Sequence, residues 1–267
     1  MMSNTTDNPT RLALVTGASS GIGRAFALRL GADKYNLVVV GRRLDRLEEL
    51  VAALPNVKVH PLVADLGTDT GVEAVADVCA REKISMLVNN AGVAHYMPFI
   101  KLPGSKASEL LHVKVVAPTM LARAAAPGMV ERAGGTIVNV SGMLAFGGPA
   151  PLGKAPGRAA YVGTLAYIVA LSQALHEELG SSGVKVQALC PGIVATEFHE
   201  RQGMDLSALP RMSAEDVVTA SLRGLDLGEV VCAPGVERAD LIDAVLKAGL
   251  AAFGAQAPQL AERYRTQ

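Results

Sequence analysis

What this 267-residue chain lacks narrows its reading first. It has no net charge, because 25 Lys and Arg balance 25 Asp and Glu. That balance argues against a nucleic-acid or polyphosphate surface as its partner. Cysteine is scarce. Cys79, Cys190 and Cys232 lie far apart, are odd in number and have no metal-ligand spacing, so they read as reduced thiols of a cytoplasmic protein. The five histidines, His60, His95, His112, His176 and His199, show no metal-site spacing either, and no metal is expected. The residues before Arg11 lack an apolar core, so no signal peptide is expected there and the first ten residues read as a loose tail. The hydrophobic stretches are broken by Gly, Pro and charge, so no membrane span is expected. No internal repeat or low-complexity segment is present.

Hydrophobic residues make up 50% of the chain, enough for a large core covered on both faces. The length suits one α/β domain, expected over residues 11–267. Its organising stretch is Thr16-Gly-Ala-Ser-Ser-Gly-Ile-Gly23. An apolar strand, Leu12 to Val15, precedes it. A helical pattern of Ile22, Ala25, Phe26 and Leu30 follows. A glycine-rich turn from strand to helix suits a phosphate, because backbone N–H groups and the helix dipole face the anion. By itself such a turn is also compatible with a plain tight loop.

Short apolar runs then alternate with helical patterns. Strands are expected at Asn36–Val40, Val57–Val63, Met86–Val88, Thr136–Val140, Lys185–Leu189 and Glu229–Cys232. Helices are expected near 44–54, 69–82, 105–132, 158–180, 213–226, 237–252 and 258–265. Uninterrupted Val/Leu/Ile strands separated by helices imply a doubly wound, Rossmann-type parallel sheet with helices on both faces. Ligands of such sheets lie beyond the carboxyl ends of the strands. The Gly/Pro-rich stretch Ala145–Gly157 reads as a loop rimming that site or as an idle surface insertion.

The residues after each strand carry the chemistry. Gly41-Arg42-Arg43 follows the second strand, where a site for the unphosphorylated cofactor usually has an acid. A guanidinium suits a 2′-phosphate, so NADP(H) is expected. The alternative is a solvated charge pair bonding Asp45 or Glu48. Asp65-Leu66, Asn89-Asn90-Ala91-Gly92, Ser141, and Pro191-Gly192 with Thr196 follow the later strands.

Together these motifs resemble the short-chain dehydrogenase/reductase family over about residues 11–235. The resemblance implies hydride transfer between a nicotinamide cofactor and a carbon bearing oxygen. It implies a cofactor cradle of Gly17, Ser19, Ser20, Gly21, Ile22 and Gly23. Asp65 and Leu66 would hold the adenine, Asn90, Ala91 and Gly92 would allow close approach, and Pro191, Gly192 and Thr196 would grip the nicotinamide amide. Ser141 would hold the substrate oxygen, and Tyr161 would act as acid or base while also touching the cofactor. The family also commonly pairs two long helices across a two-fold axis, so a homodimer or homotetramer is expected. Met97, Phe99, Met143, Leu144 and Phe146 suggest an apolar pocket for a small-molecule substrate, and His95 is placed to reach it.

Two residues depart from the family pattern. The lysine expected four residues after Tyr161, which would lower the tyrosine pKa, is Leu165. The position where the family commonly has Asn is Lys114, on the apolar helix face of Leu110, Ala117 and Leu121. Pro118 lacks an N–H and frees the Lys114 carbonyl, which can hold a water. Lys114 is therefore expected to supply the missing cation, or else to snorkel to solvent. The leading expectation is carbonyl reduction or alcohol oxidation on an apolar molecule. The rivals are imine or iminium reduction, which demands less of a Tyr/Lys pair, and a cofactor-binding sensor that has lost catalysis.

Overall fold

The computed structural model describes residues 11–151 and 157–265. The expected tail over 1–10 and the middle of the Gly/Pro-rich stretch lie outside the described residues. Seven parallel strands form one sheet: β1 Leu12–Thr16, β2 Asn36–Gly41, β3 Val59–Val63, β4 Ile84–Asn89, β5 Gly135–Val140, β6 Val184–Leu189 and β7 Val231–Cys232. Their order in space is β3-β2-β1-β4-β5-β6-β7. The chain reverses direction across the sheet between β1 and β4, and a crevice opens there beyond the strand ends.

The helices are α1 Gly21–Ala32, α2 Leu44–Ala52, α3 Asp69–Arg81, α4 Gly104–Leu111, α5 Ala117–Glu131, α6 Ala159–Leu179, α7 Phe198–Arg201, α8 Ala214–Leu227 and α9 Ala239–Gly254. One face of the sheet packs Phe26 and Leu30 of α1, Leu47 and Leu50 of α2, and Val217 and Val218 of α8. The other face packs Val72 and Val75 of α3 with Leu121, Ala125 and Met129 of α5. Each fully buried side chain of this size contributes roughly 1.5–3 kcal/mol. Thr68 and Ser213 cap α3 and α8 by accepting the N–H groups of Gly71 and Asp216.

Two expected elements differ. The single helix near 105–132 is α4 and α5 joined by a π-helical turn, His112–Val116, where Pro118 removes a donor from the ladder. Near 258–265 only a short 3-10 turn forms, Glu262–Tyr264. By its contacts the chain falls into two compact units, Met1–Pro234 and Gly235–Gln267. The second unit consists of α9 and the short 3-10 turn, with Leu241, Val245, Leu250 and Phe253 exposed.

The helix Ala159–Ser182 is long and apolar enough to cross a membrane by length and composition. In the fold it packs along β6, burying Tyr161, Leu165, Ile168 and Val169. That contact, together with the sheet, accounts for its apolar character.

Candidate active site

Hydrogen bonds join the strand ends at the crevice. Thr16 Oγ1 accepts the N–H groups of Asn90 (2.9 Å) and Ala91 (3.0 Å). Asn90 Nδ2 donates to the carbonyls of Thr16 (3.0 Å) and Gly17 (3.3 Å). The glycine turn and the Asn-Asn-Ala-Gly turn are thereby held as one wall. Gly17 and Gly21 have φ of +65° and +53°, a region that favours glycine. A Cβ on Gly17 would come 2.9 Å from Ala91 Cα, and one on Gly23 would collide with the Gly17 carbonyl and the Asn90 amide. Ser20, the N-cap of α1, makes no side-chain cap bond, and the first turn carries no acid. The free N–H groups of that turn suit a pyrophosphate, so the residues present fit a dinucleotide.

These walls bound a cavity of about 990 Å³. It is lined by every cofactor residue expected from the sequence except Gly23, which packs behind the turn, and by Ser141, Tyr161 and Lys114. Arg43 does not pair with Asp45 or Glu48. Its Nη2 donates to Ser19 Oγ (2.9 Å), the Ser19 carbonyl (3.3 Å) and Glu197 Oε1 (3.3 Å). Arg42 lies 4.0 Å from Asp65. Glu197 also meets Arg201 at 2.6 Å. Burial raises the Glu197 carboxyl, but bonds from Arg201, Ser20 and Arg43 outweigh that and leave it below its usual range.

At the other end, Ser141 Oγ donates to the Leu165 carbonyl at 2.9 Å. The Leu165 side chain lies 3.5 Å from the position a Cβ on Gly142 would take, so apolar carbon fills the place of the missing lysine. Tyr161 is buried among Val93, Ala94, Leu110, Val113 and Leu165. Burial, reinforced by Tyr96, pushes its ionisation well above the usual tyrosine range. Desolvation dominates here, where Leu165 stands in place of the usual cation.

Lys114 does not snorkel. It is 5% exposed, and its Nζ donates to the Val140 carbonyl at 3.2 Å. The same Nζ would lie 3.2 Å from a Cβ on Gly92. Burial lowers its ammonium from 10.5 to about 8. Behind it, beside Pro118 and Asn89, is a cavity of about 10 Å³, close to the size of one water. Asn89 Oδ1, also at this cavity, is buried without a partner. Its Nδ2 donates to Asn139 Oδ1 at 2.9 Å, and Asn139 in turn donates to Ser172 Oγ, tying β4 and β5 to α6.

The apolar wall differs in part from the expected one. Met143 and Leu144 line the cavity, whereas Met97, Phe99 and Phe146 do not, and Phe99 is exposed. Phe198, Met204 and Leu206 complete the wall. Reading by strand ends missed them because they lie after Thr196, in the short helix α7 and the segment beyond it. Tyr96 was missed as well. Its ring meets Tyr161 edge to face, with centroids 5.4 Å apart, and stacks on His199 at 6.4 Å. His95 lines the cavity and bonds Glu109 Oε2 at 3.1 Å. No cluster of potential metal ligands occurs among the described residues.

A family model described as short chain dehydrogenase matches residues 11–206. The chain is a short-chain dehydrogenase. Over 225 residues it is 31% identical to the very-long-chain 3-oxoacyl-CoA reductase of Mus musculus, covering 80% of this chain and 68% of that protein. Among solved structures it is similar to a short-chain dehydrogenase from Sphingobium yanoikuyae in complex with NADPH. That match has 35% identity and a TM-score of 0.89, and covers 95% of this chain and 100% of the other. It is also similar to the bulky-bulky ketone specific alcohol dehydrogenase from Comamonas testosteroni. There the identity is 30% and the TM-score 0.86, over 96% of this chain and 99% of the other. This short-chain dehydrogenase is thus an oxidoreductase with the Rossmann-type sheet of its relatives.

Proposed function

We propose that this dehydrogenase uses NADPH to reduce the carbonyl of a bulky, apolar small molecule. The observation that carries the reading is the cavity of about 990 Å³. Ser19, Arg42 and Arg43 stand at one end of it, and Ser141 and Tyr161 stand beside an apolar wall at the other. Relatives named for bulky ketones and for 3-oxoacyl chains point the same way. Their names lend no support to imine reduction or to a sensor without turnover.

Bound in the cradle, the nicotinamide cofactor would supply the hydride. The glycine turn and the start of α1 would hold its pyrophosphate, and Arg42, Arg43 and Ser19 a 2′-phosphate. Ser141 now spends its proton on the Leu165 carbonyl. Turning the hydroxyl toward the cavity would let it donate that hydrogen bond to the substrate oxygen instead. Tyr161, held protonated by burial, is suited to give its proton to the developing alkoxide. Lys114 supplies the positive charge of the site from the opposite helix. With its ammonium lowered to about 8, it is still largely charged at pH 7. The apolar wall excludes water and accepts carbon on both sides of the carbonyl.

The same reading makes the protein a cytoplasmic homodimer or homotetramer. Three buried free thiols support a reducing compartment, and exposed Met120 and Val130 on α5 support association. The deciding experiment follows NADPH oxidation with a panel of bulky ketones and 3-oxoacyl thioesters. Turnover that prefers bulky over small ketones supports the reading. NADPH binding without oxidation across the panel refutes it.

A further inference from the structure

Once Tyr161 has protonated the substrate oxygen, it is a phenolate in an apolar pocket and must be refilled. Leu165 offers only carbon and a carbonyl already bonded by Ser141. Lys114 spends its recorded hydrogen bond on Val140, and no hydrogen bond joins it to Tyr161 among the described residues. Among the described residues, Tyr96 is an ionisable side chain that packs on Tyr161, its ring edge to face at 5.4 Å with the planes 68° apart.

We propose that Tyr96 relays protons to Tyr161, connecting the buried hydroxyl to the mouth of the cavity. This inference rests on the carbonyl-reductase reading. Tyr96 is half-buried and sits between the two environments. Its inner edge meets Tyr161, and its outer face stacks on His199, with centroids 6.4 Å and planes 26° apart. His199 and Arg158 both line the cavity. Burial raises the Tyr96 ionisation, while its nearness to Tyr161 and the charge of Arg158 pull it back. Burial, with Arg211 nearby, lowers the His199 ionisation from its usual value and so favours the neutral imidazole.

The proton balance is direct. The Tyr161 O–H bond would break as the substrate O–H bond forms, the hydride on the carbonyl carbon being what the bound cofactor would supply. The Tyr96 O–H bond then breaks as Tyr161 regains its proton, and water at the cavity mouth refills Tyr96. Transfer between two phenols of the same intrinsic pKa, about 10, costs little, which suits a relay. Tyr96 acts only through Tyr161 and is therefore a positioning and relay residue.

Tyr96→Phe keeps the ring contact and deletes the hydroxyl. Tyr161 begins each experiment protonated, so the relay is not needed for the first turnover. Stopped-flow mixing of the NADPH complex with ketone should show a burst of one equivalent at the wild-type rate. Steady turnover should then be slowed at least tenfold, with an enlarged solvent deuterium effect and unchanged NADPH affinity by fluorescence. In Tyr96→Ala, imidazole in the buffer should restore steady turnover. An unchanged kcat in Tyr96→Phe overturns the relay. So does a first turnover slowed as much as the later ones, because Tyr96 would then only hold Tyr161 in place. If the wild-type protein turns over no carbonyl at all, the functional reading fails instead, and the two failures are distinct.

Discussion

Replacing Lys114 by Met should make the protein more stable and less active, with a pH signature that isolates the cause. The ammonium is buried, and its pKa falls from 10.5 to about 8. At about 1.4 kcal/mol per pH unit, charging it inside the fold costs about 3 kcal/mol. Between pH 8 and 10.5 the unfolded chain binds the proton that the folded chain has lost. Wild-type stability therefore rises with pH across that window. Below pH 8 the full cost is present. Tyr161, with its raised pKa, acts in the opposite sense only above about pH 10, where unfolded tyrosines ionise. Met removes the charge but also the bond to Val140, a pH-independent loss of about 1 kcal/mol. Urea unfolding of the apo proteins at pH 7, 8, 9 and 9.5 separates the two effects. The variant should be more stable by about 2 kcal/mol at pH 7, and the gap should close by about 1.4 kcal/mol per unit above pH 8. Parallel stability curves would refute the argument, because Lys114 would then titrate as an exposed lysine does. In the same variant, carbonyl reduction should fall and the basic limb of its pH profile move upward, with Leu165→Lys restoring part of the loss.

Arg43→Ala removes the guanidinium beside Ser19, and the expected loss of NADPH affinity is about 1.5–3 kcal/mol with NADH affinity nearly unchanged, read by fluorescence titration. Gly23→Ala forces a Cβ onto the Gly17 carbonyl, so calorimetry should show cofactor binding lost or the fold disrupted. Tyr161→Phe should lower kcat by roughly 10²–10⁴ with KM little changed; full activity on the same ketone would remove it from the proton-donor role. Light scattering at micromolar concentration should give a dimer or tetramer, and a monomer would contradict the association reading.

The order of strands, the phosphate turn and the sites at the strand ends were determined locally, which is why the sequence shows them. A continuous Val/Leu run reads as a buried parallel strand, and Gly17, Gly21 and Gly23 stand where a side chain would collide. The missing lysine at Leu165 was equally visible, because helical spacing from Tyr161 is a local rule. What Lys114 does was not. An apolar helix face is compatible with snorkelling or with burial. Only the π-turn before Pro118 and the approach of Gly92 and Val140 show that the ammonium is held inside. The wall of Phe198, Met204 and Leu206 and the contact of Tyr96 with Tyr161 were decided by tertiary structure alone. These residues come from the four-residue helix α7 and from loop segments, too short to show a period, and 65 positions separate the two tyrosines in the chain. Hydrophobic periodicity carries information about which face of an element is buried. It carries none about which later segment reaches the cavity, and here that segment supplies Phe198, Met204 and Leu206 to its wall.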